Sequence, residues 1–468
     1  VNRKRNLDLI WFRWRRSGAV AAVLAAKLQA RRIFPTAKDK SAWRWRKACA
    51  HRQRAIEVVV QKQLRFLRDN FRWLAGGFSL LMFSSFGQTF FIGLAGNELR
   101  ARFHLSGGAF GLIYMAATLA SAAVLPWLGR SLDLMPGWKV TRFAMPLLAL
   151  ACLLLAYAPH VAVLVVAIFL LRLFGQGMMT EIAFTEIGRW FVASRGLAMA
   201  IVTLGLQAGT ALLPIAYVLV SGWLGWQAAW VASAAVLILA CPGLLVLTRI
   251  ERVPHARESA MAAGKTARDW SRSEVARDPI LYVLLAGTLA PPFIGTTIFF
   301  HQGYFIALRG YDPISFTAAF PVMAVSTIIF GFVCGHLVDR YGAVRLLPWF
   351  LGPLAVASAT AALITPLWGI YVFMFLLGIS NGFTSTLLGA LWPEVYGTAN
   401  LGGIRAMTVS AMVLATALGP GLTGILIDLG ISLPEQLLWM AGWCVAAMLL
   451  LTYAAAQIVL RESGNVAN

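Results

Sequence analysis

A chain of 468 residues that is 59% hydrophobic and only 13% charged, with a mean hydropathy of +0.73, is too apolar for a water-soluble domain or a soluble enzyme of its size. Its apolar runs are long rather than short and alternating, which excludes a transmembrane barrel and points to an all-α, polytopic membrane protein. The net charge of +21 is unevenly spread: residues 1–70 hold 19 Lys and Arg against 4 acids, so the basicity belongs to an N-terminal segment and not to the membrane body.

Residues 1–70 interleave Trp with Arg at 11–16 and 43–47, and they read as a basic, disordered tail. Such a tail can be drawn to anionic lipid at about 1 kcal/mol per basic residue, or act as a nucleic-acid arm. A dispensable leader explains the same composition, because the chain starts with Val1 and its first methionine, Met82, is already inside an apolar run. No nucleic-acid partner is expected. Residues 19–26 are too short, and too closely flanked by charge, for a signal peptide.

Twelve apolar spans follow. Six start near Phe71, Ser106, Thr141, Val161, Arg195 and Trp226, and six near Pro279, Ile314, Val344, Pro366, Gly403 and Glu435. The expected organisation is a six-helix bundle over residues 71–248, a cytoplasmic linker over 249–278, a second six-helix bundle over 279–460 and a short tail over 461–468. The linker has seven basic residues and no apolar run. If residue 71 is entered from the cytoplasm, the inner loops collect Arg130, Lys139, Arg142, Arg189, Arg195, Arg340, Arg345, Arg405 and Arg461. The outer loops keep only Arg100, Arg102 and Arg309. That bias predicts both termini in the cytoplasm of a bacterial-type inner membrane.

Span four carries the decisive anomaly. Arg172 sits near its middle, where a charge costs from about 2.5 to more than 10 kcal/mol and so faces a bundle interior or a wet cavity. Gln176 follows on the same helical face, and Gly175 and Gly177 leave room for a neighbouring backbone. No carboxylate occurs near the midplane of any span: Glu181 and Glu186 lie toward the cytoplasmic end, Asp428 at the outer end of span eleven, Asp312 in a loop. A buried guanidinium without a carboxylate is costly, and a visiting anion is one remedy, since its donor fork matches two carboxylate oxygens. Pairing with backbone or water is the other.

Further polar groups at membrane depth are Gln88 in span one, His301 in span seven, and Ser380, Asn381 and Thr384 in span ten. Tyr114, Phe91 and Trp392 are candidate walls. Pro291 and Pro292 interrupt span seven, as in the discontinuous helices of transporter sites, or as a static kink. Without midplane acids, His301 is the remaining candidate for proton coupling; exchange of one anion for another is the alternative.

The five cysteines form no CxxC pair, and HExxH and GxSxG are absent. The GPGLTG at 419–424 lies inside an apolar helix and reads as packing, as do Gly205 with Gly209, Gly331 with Gly335, and Gly378 with Gly382. No cofactor, metal or catalytic residue is expected.

An internal repeat joins the halves. GRSLD at 129–133 follows span two, and GHLVDRYG at 335–342 follows span eight; RGLAM at 195–199 and GIRAM at 403–407 enter spans five and eleven. With these phrases the chain from about residue 71 resembles the major facilitator superfamily. GHLVDRYGAVR is similar to its loop signature, although the first copy has Leu134 where that signature has a basic residue. Arg172 with the following GQG, and the RWF and RG phrases after it, resemble the branch of oxalate/formate antiporters and monocarboxylate porters. The resemblance implies two six-helix bundles rocking about a central site, with Gly129, Asp133, Gly335, Asp339 and Arg340 at the cytoplasmic gate.

The sequence therefore predicts a monomeric secondary transporter for a small organic anion, a mono- or dicarboxylate. Arg172 is the expected clamp, Gln176, Gln88, His301 and Asn381 the liners, and a proton or counter-anion the coupling partner. The competing expectation is an efflux carrier for a drug-like or uncharged compound, with Arg172 structural.

Overall fold

The computed structural model describes residue 61 and residues 65–191, 194–250, 270–397 and 400–466. The expectations for residues 1–60 and for 251–269 of the linker fall outside the described residues, as does the side chain of Asp133. Of two compact units, the first, Val1–Phe71, is described only by residue 61 and residues 65–71, which are largely helical. The second begins at Arg72 and carries the spans.

Span one is a bent pair, Phe71–Gly87 and Thr89–Phe103. Spans two to six are Gly107–Gly129, Gly137–Tyr157, Val161–Trp190, Arg195–Leu224 and Trp226–Thr248. Spans seven to twelve are Pro279–Phe300, Pro313–Tyr341, Gly352–Leu363, Trp368–Tyr396, Leu401–Asp428 and Leu433–Val466. Among the described residues 10 helices are long and apolar enough to cross a membrane, the bent pair makes 11, and the shorter apolar Gly352–Leu363 takes the place of span nine. No strand occurs among them, so the protein is an all-α membrane protein with twelve membrane-crossing elements.

Local chemistry sets the helix ends. Ser106 accepts from the Ala109 amide at 3.1 Å, Asp278 from Ile280 at 3.1 Å and Asp312 from Ser315 at 2.8 Å, the last two with proline in the first turn. Gly310 and Gly430, at φ +66° and +89°, turn the chain after spans seven and eleven. The span nine helix starts at Gly352, later than the Val344 expected, because Pro348 cannot donate and Pro353 re-enters at the first turn. The last helix continues through residue 461, where a tail was expected, to Val466.

Two end-caps repeat between the halves. Glu186 accepts from the Gly137 amide at the start of span three (3.2 Å), and Glu394 from the Ala343 and Val344 amides ahead of span nine (2.7 and 3.2 Å). Each carboxylate meets the positive end of a helical turn. At the opposite ends, Arg102 donates to the Ala156 carbonyl (3.1 Å) and Arg309 to the Ala361 carbonyl (3.2 Å). The glutamates place span three against span four and span nine against span ten, and the arginines tie the ends of spans one and seven to spans three and nine, in the same way in both halves.

One membrane side carries the end of the linker and the loops after spans two and eight; it is the linker side. On the far side the bundles are joined. Asp428, at the end of span eleven, accepts from Ser106 Oγ (2.6 Å) and from the amides of Gly107 (2.9 Å) and Gly108 (2.7 Å), at the start of span two. Below it, Gly107, Gly108 and Gly111 pack on Gly424 and the Pro420–Gly421 backbone. Gln302 donates to the Phe90 carbonyl at 2.8 Å, joining spans seven and one. Among the described residues every hydrogen bond that crosses between the bundles lies in the far half.

Candidate functional site

Span one breaks at a 3-10 turn, Ser85–Gly87, followed by an extended Gln88 (φ −80°, ψ 151°). Span four is π-helical over Leu171–Met179. The two irregularities are one feature, because they cross through Gly87 and Gly175. A Cβ on Gly87 would collide with the Leu171 carbonyl and lie 2.8 Å from the Gln176 nitrogen; a Cβ on Gly175 would lie 2.7 Å from the Gly87 nitrogen. Glycine at both positions permits the crossing, and π insertions of this kind concentrate at functional sites.

Arg172 rises from the π segment and is 4% exposed. Its Nη1 donates to the Gly87 carbonyl (3.4 Å), freed by the break in span one, and to Thr89 Oγ1 (3.3 Å). Its guanidinium carbon lies 5.4 Å from the centre of the Tyr114 ring, and Tyr114 Oη is 2.6 Å from the same Thr89 hydroxyl. Nε is buried without an acceptor. Tyr114 lies within side-chain hydrogen-bonding reach of the same guanidinium, so among its five donors Nε is the one left without a partner. No carboxylate of the described residues lies within ion-pairing distance of Arg172.

An aromatic row leads away from the guanidinium. Tyr114 packs on Phe300 at 4.6 Å between ring centres, Phe110 stacks on Phe300 at 4.9 Å, and Phe300 meets the edge of His301 at 4.9 Å. The row runs from the first bundle into the second, so the guanidinium sits at the bundle interface.

Residues 77–420 match the Major Facilitator Superfamily. The chain belongs to the Major Facilitator Superfamily. Solved major facilitator structures share its fold. A bacterial homolog of the human lysosomal transporter Spinster, inward-facing and unoccupied, is 18% identical with a TM-score of 0.61, over 84% of this chain and 96% of that one. The nucleoside transporter NupG is 14% identical with a TM-score of 0.62, over 82% and 98%. No curated protein matches the chain. As a major facilitator protein it is a membrane transporter for a small molecule and not an enzyme.

Within this major facilitator fold the expected site residues are only partly gathered. Gln176, half-buried, belongs to the Gly87–Gly175 crossing, and its Oε1 has no donor. Gln88, half-buried, is the extended residue at the break. His301, 4% exposed, is instead bound to the Pro420 carbonyl at 3.1 Å, which ties span seven to span eleven, and Phe300 and Tyr114 separate it from Arg172. Asn381 is half-buried on span ten, beside Gly382, which packs on Gly331 of span eight; no described hydrogen bond links it to Arg172. Tyr114 is a wall of the site. Phe91 packs on Phe86, Tyr217 and Trp230 in the first bundle, and Trp392 stacks on Tyr396 near the linker side.

The gate residues stand apart. Gly129 has no neighbour in reach of an added Cβ, and Gly335 meets only Thr386 of its own bundle. Asp339 and Arg340 are exposed, with Arg340 lying over Tyr341 at 5.2 Å. Helix starts beside these loops are capped in each half by a glutamate, Glu186 or Glu394. Their 208-residue separation within the repeat was the sequence signal for them. Thr89 and Asp428 had none, since their partners lie on other spans.

Proposed function

We propose that the protein carries a small organic anion, a mono- or dicarboxylate, by alternating access, with Arg172 as the anion clamp. The observation that carries this reading is the buried guanidinium of Arg172, whose Nε has no acceptor and which has no described carboxylate beside it. A guanidinium is the side chain best suited to a carboxylate, because its planar donor fork matches two oxygens. Gln176 at the crossing and Gln88 at the break are polar liners whose amide N–H groups suit an anion, with His301 and Asn381 as further liners. The excess of Lys and Arg in the linker-side loops supports a cytoplasmic linker side in a bacterial-type inner membrane. Joined bundles on the far side then correspond to an inward-facing conformation, with the pairing of Asp133, Asp339 and Arg340 reserved for the closed cytoplasmic gate. Because His301 is engaged by the Pro420 carbonyl, coupling by anion exchange is favoured over a proton carried on that imidazole.

A second reading has its own observation. The bonds from Nη1 to Gly87 and Thr89 also make Arg172 a pin for the break in span one, in a carrier for an uncharged or drug-like compound. Uptake and counterflow of labelled organic acids and of uncharged solutes in proteoliposomes separate the two. The clamp reading expects Arg172→Lys and Arg172→Gln to lower acid transport by about 10- to 100-fold, the worth of a charge-assisted pair, with folded yield retained. Full acid transport by a folded Arg172→Gln, or wild-type transport of uncharged solutes alone, would discard it.

A further inference from the structure

A cavity of about 540 Å³ opens between spans seven, eleven and twelve of the second bundle, away from the Arg172 crossing. Its walls include Phe293, Trp439 and Trp443, and its lining follows span eleven from Leu426 to Ala411, about 22 Å at the helical rise. Trp439 and Trp443 are 58% and 49% exposed on the outer surface of the bundle, so the cavity faces the bilayer and not the bundle interface. Its length is a large part of the ~30 Å hydrocarbon core.

Two polar side chains, Thr423 and Gln436, interrupt the apolar lining. Gln436, in the first turn of span twelve and 1% exposed, donates through Nε2 to the carbonyls of Thr423 (3.3 Å) and Ile431 (2.9 Å). Both partners are acceptors, so rotating the amide would set oxygen against oxygen. The orientation is therefore fixed, and Oε1 is left buried without a donor. A buried unpartnered acceptor costs about 1–3 kcal/mol unless something supplies the bond. Phosphate oxygens cannot, being acceptors themselves. A hydroxyl can.

We propose that this groove binds a single-chain amphiphile with a hydroxyl head from the bilayer. The head donates to Gln436 Oε1 near the far-side membrane surface, and the chain lies along span eleven between Phe293 and the two tryptophans. The site is independent of the anion reading, since no residue of the Arg172 crossing contributes to it. It abuts spans seven and eleven, which His301 bolts together, so an occupant would bear on the half of the molecule that closes the far side.

The test uses the full chain in phosphatidylcholine nanodiscs, whose lipid lacks a donor, photolabelled with a diazirine-bearing hexadecanol and mapped by mass spectrometry. Label is expected on the peptides containing Phe293, Trp439 and Trp443. Unlabelled hexadecanol should compete about fivefold better than hexadecyl methyl ether, the margin of one neutral hydrogen bond. Gln436→Leu should abolish that margin. Ala411→Phe fills the other end without touching Gln436 and should cut labelling about fivefold by excluding the chain. Equal competition by the ether in the wild type, a margin that survives Gln436→Leu, label spread evenly over membrane-facing helices, or undiminished label in Ala411→Phe would each overturn the proposal.

Discussion

The amide of Gly108, at the start of span two, donates to Oδ2 of Asp428, at the end of span eleven, over 2.7 Å. One carboxylate on the second bundle thereby caps a helix of the first, adding Gly107 and Ser106 to the same grip. A charged cap at a helix N-terminus is worth about 0.5–2 kcal/mol, and here that energy holds two moving bodies together. Asp428→Ala should therefore loosen the far side without unfolding either bundle. A single-cysteine reporter, Phe110→Cys, at a residue now 1% exposed, should react about 3- to 30-fold faster with an impermeant thiol reagent in the Asp428→Ala background. Unchanged reactivity would mean that the glycine packing alone keeps this side shut.

The crossing of spans one and four tolerates no side chain. Gly87→Ala should collide with the Leu171 carbonyl, and Gly175→Ala with the Gly87 backbone. Backbone cannot yield as a flexible side chain can, so a loss of at least about 1–3 kcal/mol is expected. Thermal unfolding followed by fluorescence-detected size exclusion gives the comparison. Gly295→Ala, with nothing within 4 Å of the added carbon, is the control and should melt like the wild type.

Tyr114 is expected to act on Arg172 through its ring and on Thr89 through its hydroxyl. Tyr114→Phe keeps the ring and should weaken transport only a few-fold, about the worth of one hydrogen bond. Tyr114→Leu removes the face over which the cation lies and should cost roughly a further 1–2 kcal/mol, because a desolvated cation–π contact is lost. Concentration-dependent uptake of whichever acid the protein carries reads both. Equal values for the two variants would show that the ring contributes nothing.

The paired caps make a symmetry prediction. Glu186→Gln and Glu394→Gln should each destabilise the protein by about 1 kcal/mol, by weakening the charge at equivalent helix starts. The two substitutions lie in different bundles, so their effects on melting temperature should add. An effect confined to one of them would show that the halves use the repeated glutamate differently.

Asp278 supplies a pH dependence. Burial raises its pKa, but the Arg461 fork (2.9 Å from both nitrogens), the Ile280 amide and the Tyr396 hydroxyl together hold it below the ordinary value of 3.8. A carboxyl depressed on folding contributes stability above its unfolded pKa and loses it as pH falls through the folded one. Melting temperature should thus be flat near neutral pH and fall below about pH 4. Arg461→Ala brings the folded pKa back toward the unfolded one, so it should lower the melting temperature at neutral pH and flatten the acid fall; an unchanged fall would assign the acid transition to other groups.

Much of this protein was legible in its sequence. A bilayer demands that backbone groups be satisfied within each segment, so apolar runs of membrane length can only be helices, and the span count and two-half organisation follow from that one constraint. The repeat was equally open, since GRSLD and GHLVDRYG stand at matching places. Arg172 declared itself for the same reason, as a charge where hydrocarbon forbids one. What those rules leave undetermined is which atoms meet across helices. Tertiary structure alone decided that Gly87 and Gly175 let span one break against a π turn of span four, and that Thr89 and Tyr114 receive the guanidinium. It likewise set His301 on Pro420 rather than beside Arg172, and sent Asp428 to the start of span two. Hydropathy records how a residue is solvated, while a hydrogen bond between spans depends on rotation and depth that only packing of the whole bundle fixes.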